Sequence, residues 1–143
     1  MIFLGTYRHT LDAKKRLVLP AKIVNKLPST IVISRGFEGC LELRSMEAYE
    51  KYANVLNTFS QFKSDTRILE RKLIGKAQDI EIDSAKRILI PDFLLELAGI
   101  NKNVVLIGRN DKVEIWDEKK FNAHDESTEK NWESLAEKIN ELN

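Results

Sequence analysis

Two short stretches hold the residue types best suited to chemistry, Asp12-Ala13-Lys14-Lys15-Arg16 and Asp83-Ser84-Ala85-Lys86-Arg87. Each sets a carboxylate four residues ahead of a guanidinium and runs on into three aliphatic residues and a proline, Leu17-Val18-Leu19-Pro20 and Ile88-Leu89-Ile90-Pro91. Paired aspartates can do general acid and base work. An aspartate can instead accept backbone N–H groups across a turn while an arginine closes that turn as an ion pair. An arginine flanked by lysines clamps phosphate, and its fork also matches guanine O6 and N7. The fixed Asp-to-Arg spacing favours the ion pair over catalysis, and Lys14, Lys15 and Lys86 are cations that such a pair leaves over. The expectation is that Asp12 and Asp83 hold two turns, and that Arg16, Arg87, Lys14, Lys15 and Lys86 face a polyanion.

The two stretches are copies. Asp12, Arg16 and Pro20 match Asp83, Arg87 and Pro91 at a constant offset of 71 residues. The match continues outward, with Leu11 against Ile82, Ile31-Val32-Ile33 against Val104-Val105-Leu106 and Glu42-Leu43 against Glu114-Ile115. Such agreement marks an internal repeat, with small changes of offset falling in connecting loops.

The elements that must position these turns can be read from local signals. Residues 2–11 are apolar and β-branched enough for a strand, and 16–19 reads as the strand returning from the turn at 12–15. Pro20 opens a short helix that Pro28 closes. Residues 31–35 and 40–44 form a hairpin whose Gly36 and Gly39 supply positive φ angles. Ser45 caps a helix over 46–56, with Glu47 in its first turn, and Ser64 or Asp65 caps another carrying Ile68, Leu69, Lys72 and Leu73. The second unit repeats the plan over 77–82 and 87–90, then a helix from Pro91 to Gly99, then a hairpin of 104–108 and 113–117. Asp117 caps a short turn through Phe121. Trp132, Leu135, Ala136, Ile139 and Leu142 recur at helical spacing, an amphipathic helix expected to dock on its own core, with a neighbouring subunit as the alternative. The division expected is a first repeat over 1–49, a helical connection over 50–73, a second repeat over 74–121 and the amphipathic helix over 122–143.

At 143 residues and 43% hydrophobic content the chain can bury a core. The formal net charge of +1 hides an uneven distribution: residues 122–143 hold six acids and two bases, −4, so the remainder carries +5. A basic body with an acidic tail permits a nucleic-acid partner. No stretch approaches the roughly 20 apolar residues of a membrane helix, and the N-terminus lacks a leader pattern. Cys40 is the single cysteine, and His9 and His124 are isolated, so neither a disulfide nor a metal site is expected. No phosphate-binding glycine loop or nucleophile elbow is present, and no cofactor, small-molecule substrate or enzymatic activity is expected. Cys40 and Trp116 read as core residues, Trp132 as the packing anchor of the last helix, and His9 and Lys22 as ordinary structural or solvated positions.

The motifs Leu11-Asp12-Ala13-Lys14-Lys15-Arg16-Leu17-Val18-Leu19-Pro20-Ala21, Asp83 to Pro91, and Ile107-Gly108-Arg109 with Val113-Glu114-Ile115-Trp116-Asp117 resemble those of the MraZ family of the bacterial division and cell wall gene cluster. The resemblance extends over almost the whole chain. It implies an α+β, β-dominated fold, a double-split (swapped-hairpin) barrel of two tandem AbrB-like repeats with linking and C-terminal helices. It also implies a ring-shaped homo-oligomer in the cytoplasm, associated with the nucleoid. The implied function is transcriptional regulation through double-stranded DNA, at direct repeats upstream of the protein's own operon. In that family the motif arginine is implicated in DNA contact, which falls on Arg16 and Arg87. The family commonly has glycine before that arginine; here Lys15 and Lys86 stand there and add charge toward DNA. A ring that serves as a scaffold for division proteins is the alternative reading.

Overall fold

A computed structural model describes residues 2–142, the side chain of Leu142 aside. In chain order the elements are β1 (Thr6–Thr10), β2 (Arg16–Val18), α1 (Ala21–Val24), β3 (Thr30–Arg35), β4 (Leu41–Ser45), α2 (Met46–Leu56) and α3 (Ser64–Leu73). The second half follows with β5 (Gln78–Glu81), β6 (Arg87–Leu89), α4 (Asp92–Ala98), β7 (Asn103–Arg109), β8 (Lys112–Asp117), α5 (Glu118–Glu129) and α6 (Trp132–Leu142). The class is mixed α+β, with antiparallel sheets.

The strands pair across the repeat. Six form one sheet in the order β1-β7-β8-β4-β3-β5, and β2 pairs with β6 in a separate two-stranded ribbon. The first strand of each half therefore lies against the hairpin of the other: Thr10 faces Asn103 and Thr30 faces Glu81. In the ribbon Leu17 faces Ile88, and at the centre of the sheet Glu42 faces Glu114. Both are pairs of repeat-equivalent residues, so an approximate two-fold axis runs through the ribbon and the middle of the sheet. The expected return of the 16–19 strand onto β1 is not what forms. Asp12 N donates to Arg16 O at 3.0 Å and Lys15 N to Asp12 O at 2.9 Å, which closes the turn, but the two strands then leave for different partners. The sheet ends at β1 and β5, and no closed barrel forms among the described residues.

Strand periodicity sorts the side chains into layers. On one sheet face Ile31, Ile33, Leu41, Leu43, Val104, Leu106, Val113 and Ile115 pack with Leu17 and Ile88 of the ribbon, Ile23 and Val24 of α1, and Leu94, Leu95 and Ala98 of α4. On the other face Cys40, Val105 and Trp116 pack with Ile107 and Phe121. There Phe121 and His124 of α5 lie against the Trp116 ring at centroid distances of 5.6 and 5.2 Å. The ribbon and α5 thus lie on opposite faces of the central sheet.

Most of the expected element ends appear. Ser45 Oγ accepts from Ala48 N at 3.1 Å with Glu47 in the first turn of α2, Pro20 and Pro91 stand at the N-caps of α1 and α4, and Gly99 ends α4 at φ 61°. Several expectations need correction. Lys63, without a side-chain cap, precedes α3, and Ser64 is its first residue. In the hairpin between β3 and β4 the positive φ angles belong to Glu38 and Gly39, not to Gly36. Gly36 is required for space instead, since a Cβ there would stand 2.7 Å from Cys40 Sγ. The expected short turn after Asp117 continues as the 12-residue α5, so α5 and α6 follow β8 as α2 and α3 follow β4. The last helix does not dock through its apolar stripe: Trp132, Leu135 and Ile139 remain 66%, 45% and 60% exposed. Leu142, expected on that stripe, has its side chain outside the described residues.

Candidate nucleic-acid interface

Each turn is built by its aspartate. Asp12 Oδ1 accepts from the backbone N–H of Lys14 and of Arg16, both at 2.9 Å, and Oδ2 accepts from Arg16 Nε at 2.8 Å. Asp83 makes the same three bonds, to Ala85 N, Arg87 N and Arg87 Nε, each at 2.9 Å. The backbone N–H of the arginine is the largest influence holding each carboxyl below its usual range, with the guanidinium and the earlier N–H adding to it. Both aspartates are therefore ionised at neutral pH. With each carboxylate engaged by its own turn, the pair does not form a shared acid–base centre.

The residue before each arginine completes the turn in the left-handed region, at φ 64° for Lys15 and φ 63° for Lys86. A Cβ makes that conformation costly, which is why glycine suits it. The turn keeps the glycine geometry and carries an ammonium as well. Lys15 Nζ reaches Asp92 Oδ1 at 3.3 Å, whereas the repeat-equivalent position of Asp92 is Ala21, and Lys86 forms no ion pair among the described residues. Lys14 and Lys86 are exposed.

The ribbon decides where the arginines point. Leu17 and Ile88 are 0% and 1% exposed and face the core, so Arg16 and Val18 on β2, with Arg87 and Leu89 on β6, share the opposite, outer face. Arg16 and Arg87 sit at opposite ends of this face, about 8 Å apart at Cα from two residues of strand rise and one interstrand spacing. Each guanidinium gives its Nε to the aspartate. Among the described residues the Nη groups of both take no partner. Each arginine is thus held at one edge and presents its other edge outward, the edge that makes two parallel bonds to a phosphate or to guanine O6 and N7. A two-stranded ribbon is narrow enough to enter the major groove of B-DNA.

A second polar constellation escaped the sequence reading. Glu42 and Glu114 meet at the pseudo-two-fold axis in the middle of the sheet, on the face turned away from the ribbon. Arg109 bridges them, from Nη2 to Glu42 at 3.3 Å and from Nε to Glu114 at 3.0 Å. Arg44, 1% exposed, adds an ion pair to Glu42 at 2.7 Å and lies with Cζ 3.8 Å from the ring centre of Tyr52. In the second repeat Trp116 occupies the place of Arg44 and donates from Nε1 to Glu114 at 3.0 Å. The available signal was two glutamates at matching places inside aliphatic strands. Cys40 is buried, which pushes its thiol pKa up and leaves it unreactive. Among the described residues no cluster of three or more His, Cys, Asp or Glu is placed to hold a metal ion. No helix among the described residues is long and apolar enough to cross a membrane.

These features define a class of protein: two tandem repeats that exchange strands and bring two Asp-x-x-x-Arg turns onto one outward ribbon. The family model described as MraZ protein matches the chain twice, over residues 2–72 and 73–143, and the chain belongs to the MraZ family. A relative from Mesoplasma florum is 44% identical over 97% of this chain and 96% of its own length. Relatives from Mycoplasmoides gallisepticum and Thermoanaerobacter pseudethanolicus are 40% and 37% identical, covering 95% and 99% of this chain and 94% and 99% of their own. All three are named transcriptional regulator MraZ.

Proposed function

We propose that this chain is a sequence-specific DNA-binding transcriptional regulator that lays the outer face of the β2–β6 ribbon in the major groove. The supporting observation is the placement of Arg16 and Arg87 on one solvent face, each fixed through Nε by its own aspartate with its other edge directed outward. Lys14, Lys15 and Lys86 flank them and neutralise phosphates. The targets are direct repeats upstream of the protein's own operon, in the division and cell wall gene cluster, and the site of action is the nucleoid in the cytoplasm. The exchange of first strands between repeats supports the swapped-hairpin kinship implied by the sequence motifs.

A homo-oligomeric ring completes the reading. The helical pairs α2–α3 and α5–α6 sit at equivalent places in the two halves and both segments expose apolar side chains, among them Phe62 at 97% in the loop joining α2 to α3 and Trp132 at 66% on α6. Head-to-tail contacts between such surfaces close into a ring when the rotation between subunits allows it, and a ring multiplies ribbons along repeated DNA sites. The same exposed residues favour the second reading, a ring that gathers division proteins and meets DNA incidentally. Footprinting on the region upstream of the protein's gene separates the two. The regulator protects repeated sites, and Arg16→Ala or Arg87→Ala each weakens protection by about 5- to 150-fold, the worth of one bidentate arginine–guanine contact. Unchanged protection in both variants contradicts the proposal and favours the scaffold.

A further inference from the structure

Across from each arginine the outer face of the ribbon is not polar. Val18 and Leu89 stand there 47% and 58% exposed, in the middle of a basic surface. Each lies directly across from an arginine: Arg16 faces Leu89 and Val18 faces Arg87. The backbone bonds from Leu19 N to Lys86 O and from Ile90 N to Lys15 O mark the neighbouring pairs on either side as hydrogen-bonded. Alternation then makes Arg16/Leu89 and Val18/Arg87 the non-hydrogen-bonded pairs, where facing side chains are closest.

An exposed aliphatic side chain beside an arginine on this outer face adds little to folding, since the core lies on the other side of the ribbon. The major groove offers one group that rewards it. Guanine presents O6 and N7 to an arginine, and thymine presents its 5-methyl, the apolar feature on that edge. We propose that Val18 and Leu89 are specificity-determining residues that pack against thymine methyl groups beside the guanines taken by Arg87 and Arg16. This inference rests on the DNA reading above. It adds that the ligand is thymine-containing B-form DNA, since duplex RNA lacks the methyl and closes its major groove to side chains. Leucine reaches one carbon further than valine. The two ends of the ribbon are therefore unequal despite their pseudo-symmetry, and the face has a direction along the duplex.

The test uses the fragment upstream of the protein's gene, amplified once with thymidine and once with deoxyuridine triphosphate, so that the second product lacks every 5-methyl. Binding is measured at one salt concentration for the full chain, for Val18→Ser, for Leu89→Ser and for the double variant. Melting temperature and oligomer mass are checked in parallel. The unmodified protein is expected to lose about fourfold in affinity for each methyl it covers, hence roughly four- to sixteenfold on uracil DNA. The double variant binds both fragments alike and keeps its salt dependence. Equal binding of both fragments by the unmodified protein overturns the inference, as does a thymine preference that survives in the double variant. A change of oligomer mass in the serine variants also overturns it, because these side chains would then be subunit contacts. If Arg16→Ala abolishes binding while thymine and uracil DNA bind alike, the DNA reading stands and this inference falls. If the unmodified protein binds neither fragment, both fall.

Discussion

Lys15 and Lys86 are the residues in which stability and the proposed DNA contact pull apart. Both sit near φ 64°, a conformation that glycine adopts freely and that a side chain makes costly. Lys15→Gly and Lys86→Gly are each expected to raise stability by about 0.5–1 kcal/mol, as relief of that strain outweighs the extra freedom of glycine in the unfolded chain. Each also removes one cation from the ribbon surface, so DNA affinity falls while the melting temperature rises. Urea unfolding and a binding isotherm on the same preparations check the pair of signs. A fall in both would show that the lysines hold the turns in addition to facing the ligand.

At the scale of elements, the local signals were legible and the partners were not. The Asp-x-x-x-Arg turns, the Ser45 cap, the Gly99 stop and the two hairpins depend on residues within a few positions of one another, and sequence spacing displays such relations. The partners of β1, β2 and β5 lie about 50 to 100 residues away, and an alternating strand looks the same whichever edge it joins. Helix α5 was missed because Glu118–Glu129 has a weak apolar stripe, and Trp116 in the neighbouring strand supplies the surface it covers. The glutamate–arginine layer was missed for a related reason. Glu42 and Arg44 alternate with leucines as they would in a half-solvated strand, and it is α2, with Tyr49 and Tyr52, that buries that face. Arg44→Met is expected to destabilise the fold by about 3 kcal/mol by leaving Glu42 underpaired, and adding Glu42→Gln should recover much of that loss. A urea double-mutant cycle reads the coupling, and additive losses would show that the two side chains act independently.

For the whole molecule, the sheet divides the chain into two sides. The ribbon with its cations lies on one face, and α5, which begins the acidic C-terminal stretch, covers the other. This arrangement gathers a modest positive charge on the ribbon face while the net charge stays near zero. The proposed ring uses the exposed face of α6: replacing both Trp132 and Leu135 with serine should lower the mass seen in sedimentation without lowering the melting temperature of the subunit. An unchanged mass would contradict a ring closed through α6. Binding to the upstream fragment measured across a salt series, with the Arg16→Ala/Arg87→Ala double variant alongside, tests the ribbon's proposed role in DNA binding most directly. Binding by the unmodified protein should weaken steeply as salt rises, with a log–log slope of about −0.9 for each phosphate neutralised, and the double variant should lose the specific complex. Affinity that stays level as salt rises, or a double variant that binds like the unmodified protein, would contradict it.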